Sequence, residues 1–353
     1  MTRTLTRAPT PAPATAVPTR RRLLGLGVAV VLLLIVCAAS LALGAREVAL
    51  GTVWEALLDP VAGAADHAVV LDQRLPRTIV GLLVGAALGL AGTVMQGITR
   101  NPLADPGLLG VNAGASLFVV LAITLFGITS PSNYLWFAFA GAAAATVVVY
   151  GIGALGPRGA TPVTLALAGV ALTAGITSIL TLLLLSSTTA TNTYRFWAVG
   201  SLAGRGSSTG GDVITTLAPF LAVGGVLVLA CGRWLNLLSM GDDLARGLGL
   251  HIARARALAV LGVVLLAGGA TALAGPIVFV GLVVPHLIRP FTGPDYRWIL
   301  PYALLVGPAL LLASDVLGRL IAGPGELEAG LVVALVGAPV MVAIVRRARL
   351  AGL

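Results

Sequence analysis

Leu23-Leu-Gly-Leu-Gly-Val-Ala-Val-Val-Leu-Leu-Leu-Ile-Val-Cys-Ala-Ala-Ser-Leu-Ala-Leu-Gly-Ala45 runs for 23 residues without a charge. At about 1.5 Å of rise per residue, such a helix reaches across the roughly 30 Å hydrocarbon core of a bilayer. Upstream, Met1 to Arg22 is rich in Pro, Thr and Arg with no apolar periodicity, which reads as a disordered basic tail. A basic start before an apolar run is also the plan of a secretory signal, but there the apolar part spans only roughly 7–15 residues. This longer run predicts a helix that stays in the membrane.

The rest of the chain repeats the pattern. Apolar residues make up 58% of it, charged residues 10%, and the mean hydropathy is +1.02. Roughly a quarter of an average soluble domain is charged. A chain of 353 residues cannot hide this much apolar surface in water, so a soluble enzyme is excluded. Further uncharged stretches lie at Thr78 to Thr99, and at Pro106 to Pro157 with a turn at Gly127 to Asn133. Others cover Gly159 to Tyr194, Val213 to Gly232, Trp298 to Ser314 and Ala329 to Val345. Ala257 to His286 is broken at Gly268-Gly269 and Gly275-Pro276, giving one full span and a short eighth one. The expectation is an all-α polytopic membrane protein of about ten spans, with a transmembrane domain over 23–347 and a short tail at 348–353.

An even number of spans puts both termini on one side. That side holds 16 of the 22 arginines and four of the 13 acidic residues, net +12 against −3 opposite. By the positive-inside rule the termini are cytoplasmic. The overall charge of +9 therefore reflects topology and implies no nucleic-acid partner. All basic residues are arginine, so no phosphate-binding loop of the G-x-x-x-x-G-K-[ST] kind exists here, and any nucleotide hydrolysis belongs to another subunit. Cys37 and Cys231, both in apolar runs, make neither a disulfide framework nor a metal site. The arginine-only, Ala/Gly-rich usage suggests a GC-rich bacterial genome.

Several motifs stand out against this background. Gly151-Ile-Gly-Ala-Leu-Gly156 fits a dinucleotide pattern, but no strand precedes it and no acidic residue follows at the needed distance, so that reading is rejected. Arg74-Leu-Pro-Arg77 enters the second span from the arginine-poor side. Two readings fit it equally: snorkelling to headgroups, or a preorganised guanidinium pair for carboxylates on a docking protein. Gln96 and Asn112 are costly inside a span and suggest a pathway or a buried hydrogen bond; Ser186 and Ser187 add polarity near the end of the fifth span. Asn101-Pro102 and Asp105-Pro106 make a stiff turn.

Between spans six and seven, Asp242 and Asp243 open a short helix whose dipole favours them. Leu244 and Leu248 share one face, and Gly247 and Gly249 end the helix. That is either a surface helix lying on the bilayer or a compact knob for a partner's groove. His286 is a lone histidine with no second ligand at metal spacing. Glu326 and Glu328 read as loop polarity, and Asp315 as an i, i+4 partner of Arg319.

Together, R-L-P-R at Arg74 to Arg77, M-Q-G-I-T-R-N-P-L-A-D-P-G-L-L-G at Met95 to Gly110 and L-N-L-L-S-M-G-D-D-L-A-R-G-L-G at Leu235 to Gly249 resemble the signatures of FecCD-type permeases. So do F-V-G-L-V-V-P-H-L-I-R at Phe279 to Arg289 and A-S-D-V-L-G-R at Ala313 to Arg319. The similarity covers roughly Ala45 to Arg347. It implies the type II ABC importer permease fold in a bacterial cell membrane: a dimer with an identical or paralogous permease subunit, around an axial translocation path. It also implies two cytoplasmic ATPase subunits carrying ATP and Mg²⁺, with no cofactor on this chain, and an extracytoplasmic substrate-binding protein. Arg74, Arg77 and Arg319 match positions that meet carboxylates on that binding protein. Gly241, Asp242, Leu244, Arg246, Leu248 and Gly249 match the helix that couples to the ATPase. Asn101, Pro102 and Thr161 match the cytoplasmic gate region. One departure is Glu326-Leu-Glu-Ala-Gly330, where the family usually reads E-L-P-[IV]-G. The expected cargo is a ferric siderophore, with haem or cobalamin as alternatives. A secondary transporter, the alternative of a different class, would need a midplane ionisable residue, and no span carries one at its centre.

Overall fold

The computed structural model describes residues 17–44, 46–61, 63–155, 161–204, 211–321 and 325–350. Residues 1–16 of the expected tail, Arg158, Arg205 and residues 351–353 lie outside that set. Helix α1 (Thr19–Ala42) is followed by two short helices, α2 (Leu50–Leu58) and α3 (Ala65–Ala68). The latter runs through a π-wound stretch, Val69–Arg74, into α4 (Leu75–Thr99). A 3₁₀ turn, Pro106–Leu109, leads to α5 (Val111–Phe126), α6 (Pro131–Ala154), α7 (Pro162–Ser186) and α8 (Thr188–Ala198). Then come α9 (Gly211–Ala230), α10 (Gly232–Ser239), α11 (Asp242–Gly247) and α12 (Ile252–Ala274). The chain ends with α13 (Val280–Thr292), α14 (Tyr296–Ile321) and α15 (Ala329–Leu350). No strand occurs among the described residues.

The expected count of about ten spans, one of them short, is not exact. Among the described residues seven helices are long and apolar enough to cross a membrane: α1, the continuous Ala65–Thr99 helix, α6, α7, α9, α12 and α14. The other three expected spans are shorter: α5 has 16 residues, α13 has 13, and the apolar part of α15 is Ala329–Ala343. For α13 the cause lies in the backbone. Gly275 at φ +78° and Phe279 at φ +69° end one helix and delay the next, and Gly275 packs so closely on the Trp197 carbonyl that a Cβ would stand 2.2 Å from it. Both termini differ slightly from expectation. Arg20 to Arg22 belong to the first turn of α1, and α15 continues into the expected tail as far as Leu350.

Helix α4 forms the centre, packed on α14, α12 and α13. Lipid is as apolar as leucine, so helices associate here through close van der Waals contact, which small residues permit. A Cβ on Gly307 would stand 2.2 Å from the Gly85 carbonyl, and one on Gly92 would stand 2.0 Å from that of Gly281. The wide π turn before α4 sits just ahead of Pro76, whose missing N–H and ring disrupt the i→i−4 ladder.

Candidate functional site

The three arginines expected to face a partner are buried at the arginine-poor end. Arg74, Arg77 and Arg319 are 5%, 8% and 4% exposed. The reason is the end of α1, whose last carbonyls lack helical partners and whose last turn carries no basic residue. Arg74 Nη1 donates to the carbonyls of Leu41 and Ala42, each at 2.7 Å, and Nη2 donates to that of Arg46. Arg319 Nη1 donates to the carbonyls of Ser40 at 3.0 Å and Leu43 at 2.9 Å, and its Nη2 reaches Ser40 Oγ. Arg77 forks onto fully buried Asp315, with Nη2 at 2.8 Å from Oδ1, and its Nη1 meets Glu326 at 2.5 Å. Asp315 also pairs with Arg319 at 3.1 Å, as the i, i+4 spacing predicted.

All three guanidinium groups have partners within this chain, at the same end where docking was expected. Headgroup anchoring does not describe them. They clamp α1 to α4 and α14 at a depth where orphaned carbonyls would be costly. Glu326 is part of this clamp, which the reading of loop polarity missed. Asp315 is thus met by two guanidinium groups.

At the arginine-rich end, Gly241 at φ +112° sets the sharp entry to α11. Asp242 is joined to Arg256 at 3.0 Å and to Arg100, so one carboxylate ties α11 to the end of α4 and the start of α12. Arg100, in the left-handed region at φ +51°, also donates to the Leu238 carbonyl at 2.6 Å. Neither arginine was singled out from sequence, because their meeting point is set by tertiary structure. Ala245 is fully buried under α11, while Met240, Leu244 and Leu248 are 58%, 49% and 58% exposed. The i, i+4 bond from Leu248 N to the Leu244 carbonyl keeps the last two on one face. Arg246 is surface-paired with Asp243, and Gly249 at φ +85° turns the chain away. The arrangement is an apolar knob on a charge-braced base.

The expected gate residues lie in turns at the same end. Asn101 Oδ1 accepts from Leu103 N at 2.9 Å, which fixes the turn that Pro102 stiffens. Thr161 caps α7 in a reciprocal box with Thr164. The polar residues offered for a pathway divide into two kinds. Gln96 is buried and ties α4 to α13, accepting from Arg289 Nη2 at 2.7 Å and donating to the Leu282 carbonyl. Asn112 accepts from Thr271 at 3.1 Å, joining α5 to α12. Ser186 and Ser187 instead mark the break between α7 and α8, where Ser187 caps the second helix. Among the described residues no cluster of His, Cys, Asp and Glu could hold a metal ion.

Known proteins share both sequence and fold. The profile of the FecCD transport family matches residues 32–347. The ferric enterobactin transport system permease protein FepD of Escherichia coli K12 is 47% identical over 88% of this chain and 91% of its own. The hemin transport system permease protein HmuU of Yersinia pestis is 35% identical over 88% and 91%. A solved inward-facing structure of a metal-chelate type ABC transporter superposes with a TM-score of 0.79 at 28% identity, covering 92% of this chain and 99% of that one. The chain is thus a membrane permease subunit of the ABC importer class, not itself catalytic, and it belongs to the FecCD transport family.

Proposed function

We propose that this subunit translocates a ferric siderophore delivered by an extracytoplasmic binding protein. The single observation that supports the cargo is the 47% identity to a ferric enterobactin permease. Haem is the second reading, supported by the more distant hemin permease at 35%. The arginine-rich end is cytoplasmic. There, the exposed knob of Met240, Leu244 and Leu248 enters a groove on an ATPase subunit, two of which hydrolyse Mg-ATP for the complex. The absence of lysine from the chain supports hydrolysis in trans. Asp242 passes the movement of α11 to α4 and α12 through Arg100 and Arg256. A second permease subunit, identical or paralogous, completes the path. The binding protein docks on the opposite, outer end, where the arginine clamp holds the end of α1 in place beneath the surface.

The test is uptake by proteoliposomes holding the permease dimer and its ATPase, supplied with binding protein. Ferric siderophore should accumulate only with ATP inside the ATPase compartment, and Leu244→Asp should abolish it. Accumulation of haem with no uptake of ferric siderophore would overturn the cargo assignment.

A further inference from the structure

At the outer end a cavity of about 590 Å³ opens between the start of α6, helix α8, the loop after it and the start of α15. Tyr134, Asn192, Phe196, Trp197, Ser201 and Glu328 line it. Trp197 is 5% exposed and its Nε1 has no hydrogen-bond partner; nor has Oε2 of Glu328. The indole N–H is a donor and the carboxylate an acceptor, so the cavity wall carries one unmet group of each kind. Leaving either unmet is expensive. The N-terminus of α15 follows Glu328 directly, and its dipole explains why a negative charge is tolerated there, yet it supplies no donor to Oε2.

The surrounding charge has a definite sign. With Arg74, Arg77 and Arg319 buried, the described outer end exposes five carboxylates, Glu47, Glu55, Asp59, Asp72 and Glu326, against two guanidinium groups, Arg46 and Arg195. Among these, Glu326 is already paired with Arg77 at 2.5 Å and Arg46 with Asp66 at 2.7 Å, and Arg195 lies on the ring of Phe196 at 4.8 Å, which leaves the carboxylates in excess. Such a field draws in cations.

We propose that this cavity is a socket for a lysine- or arginine-bearing loop of the extracytoplasmic binding protein. The cationic head donates to Glu328, the rings of Tyr134 and Phe196 offer π faces, and a main-chain carbonyl of the same loop accepts from Trp197 Nε1. A zwitterionic lipid headgroup carries the same two chemistries. The acidic field separates them, because it acts on a net cation and not on a group of zero net charge. The polarity is opposite to that of a carboxylate-bearing partner meeting arginines. The socket rests on the permease reading above.

The experiment uses the full transporter in phosphatidylglycerol nanodiscs, which offer no amine, titrated with its extracytoplasmic binding protein. Glu328→Gln should weaken docking about 10- to 30-fold, as for a partly desolvated charge pair. Trp197→Phe should weaken it about 2- to 10-fold. Added salt should weaken wild-type docking more than docking of Glu328→Gln. Glu328→Lys should be rescued by reversing one basic residue on the partner. Matching thermal midpoints show that the variants are folded. Unchanged affinity in Glu328→Gln overturns the socket. So does phosphatidylethanolamine held by the wild type but lost from Glu328→Gln with docking intact, which would make lipid the occupant. Rescue of Glu328→Lys by Arg205→Glu in this same chain would make its own arginine the occupant. Failure of the wild type to dock at all would instead remove the permease reading itself.

Discussion

Helices α1 and α7 both cross the membrane with little of their surface covered: 11% of the apolar window of α1 is buried and 17% of that of α7. Their bare faces differ in kind. On α1 the exposed residues are aliphatic, Leu23, Leu24, Val28, Val31, Leu34 and Ile35 among them. Helix α7 exposes large aliphatics too, Leu167, Val170, Leu182 and Leu185 among them, but its bare surface also carries a stripe of Ala171, Ala174, Gly175 and Ser178, spaced so that a second helix can approach closely. The hydroxyls of Ser178 and Thr181 bond the carbonyls four residues back, so they are satisfied without a partner. Branched aliphatic surface suits lipid; a small-residue stripe suits another helix. In the proposed dimer the first face is expected to meet lipid and the second the other permease subunit.

The two helices are also fastened at opposite ends. Helix α1 is gripped at its arginine-poor end by Arg74 and Arg319, helix α7 at its arginine-rich end by the 3₁₀ turn before α5. The sharpest way to break the comparison is at the first grip. Arg319→Met should cost about 3–5 kcal/mol, because it strands the Ser40 and Leu43 carbonyls and unbalances buried Asp315. Thermal unfolding in nanodiscs reads this, with proteolysis concentrated near residues 43–50. Val31→Phe on the same helix, facing lipid, should be neutral.

The second grip should yield somewhat less. A Cβ on Gly169 would stand 1.7 Å from the Leu108 carbonyl. Gly169→Ala should therefore push α7 off the turn at a cost of about 1–3 kcal/mol. Hydrogen exchange should rise in residues 106–110 and leave the end of α1 unaffected. Equal exchange at both ends would show that the two grips are not separate.

How much of this was legible follows the same division. The run Leu23 to Ala45 and the Gly127 to Asn133 turn were readable because hydropathy and turn chemistry are local. So was the Asp315–Arg319 pair, four residues apart on one helix. The Arg77–Asp315 fork joins residues 238 apart in sequence, and no periodicity encodes it. The break at Ser187 that makes α8 a separate helix was hidden in a continuous polar-apolar stretch, where only the extended backbone of Ser187 marks it. Burial of the arginine trio was missed for a related reason. The need for donors comes from the end of α1, more than 30 residues away from Arg74.

The assignment of faces is sharpened by a third substitution. Ala174→Phe should leave the isolated subunit as stable as wild type, since the residue is exposed, yet weaken association of the two permease subunits at least about tenfold, or ~1.4 kcal/mol. Cross-linking yield in nanodiscs measures it. The matching change on α1, Leu34→Phe, should leave the yield unchanged, and an equal loss from both would mean that size alone, not the face, governs assembly.

The smallest effect is expected at Asp105, which begins the turn that grips α7. Its Oδ1 accepts from Gly107 N at 2.8 Å. Burial pushes its carboxyl above the ordinary carboxylate range, and the Gly107 N–H only partly offsets this. The sign of the pH dependence follows. Below a pH of about 4 both folded and unfolded chains hold the proton, and the group contributes no difference. As pH rises, the unfolded chain ionises first, so stability falls until the pH passes the raised folded value and then levels off. As pH rises from acid toward neutral the wild type therefore bears a growing share of the penalty of a buried charge. Asp105→Asn keeps an acceptor for Gly107 and removes the charge. It should be slightly more stable than wild type at pH 7, with the difference vanishing in acid. The gain should appear as slower exchange in residues 106–110 and at the start of α7, with α1 unchanged. Parallel stability curves for the two proteins across this range would show that the turn does not penalise the charge, and that the grip on α7 owes nothing to it.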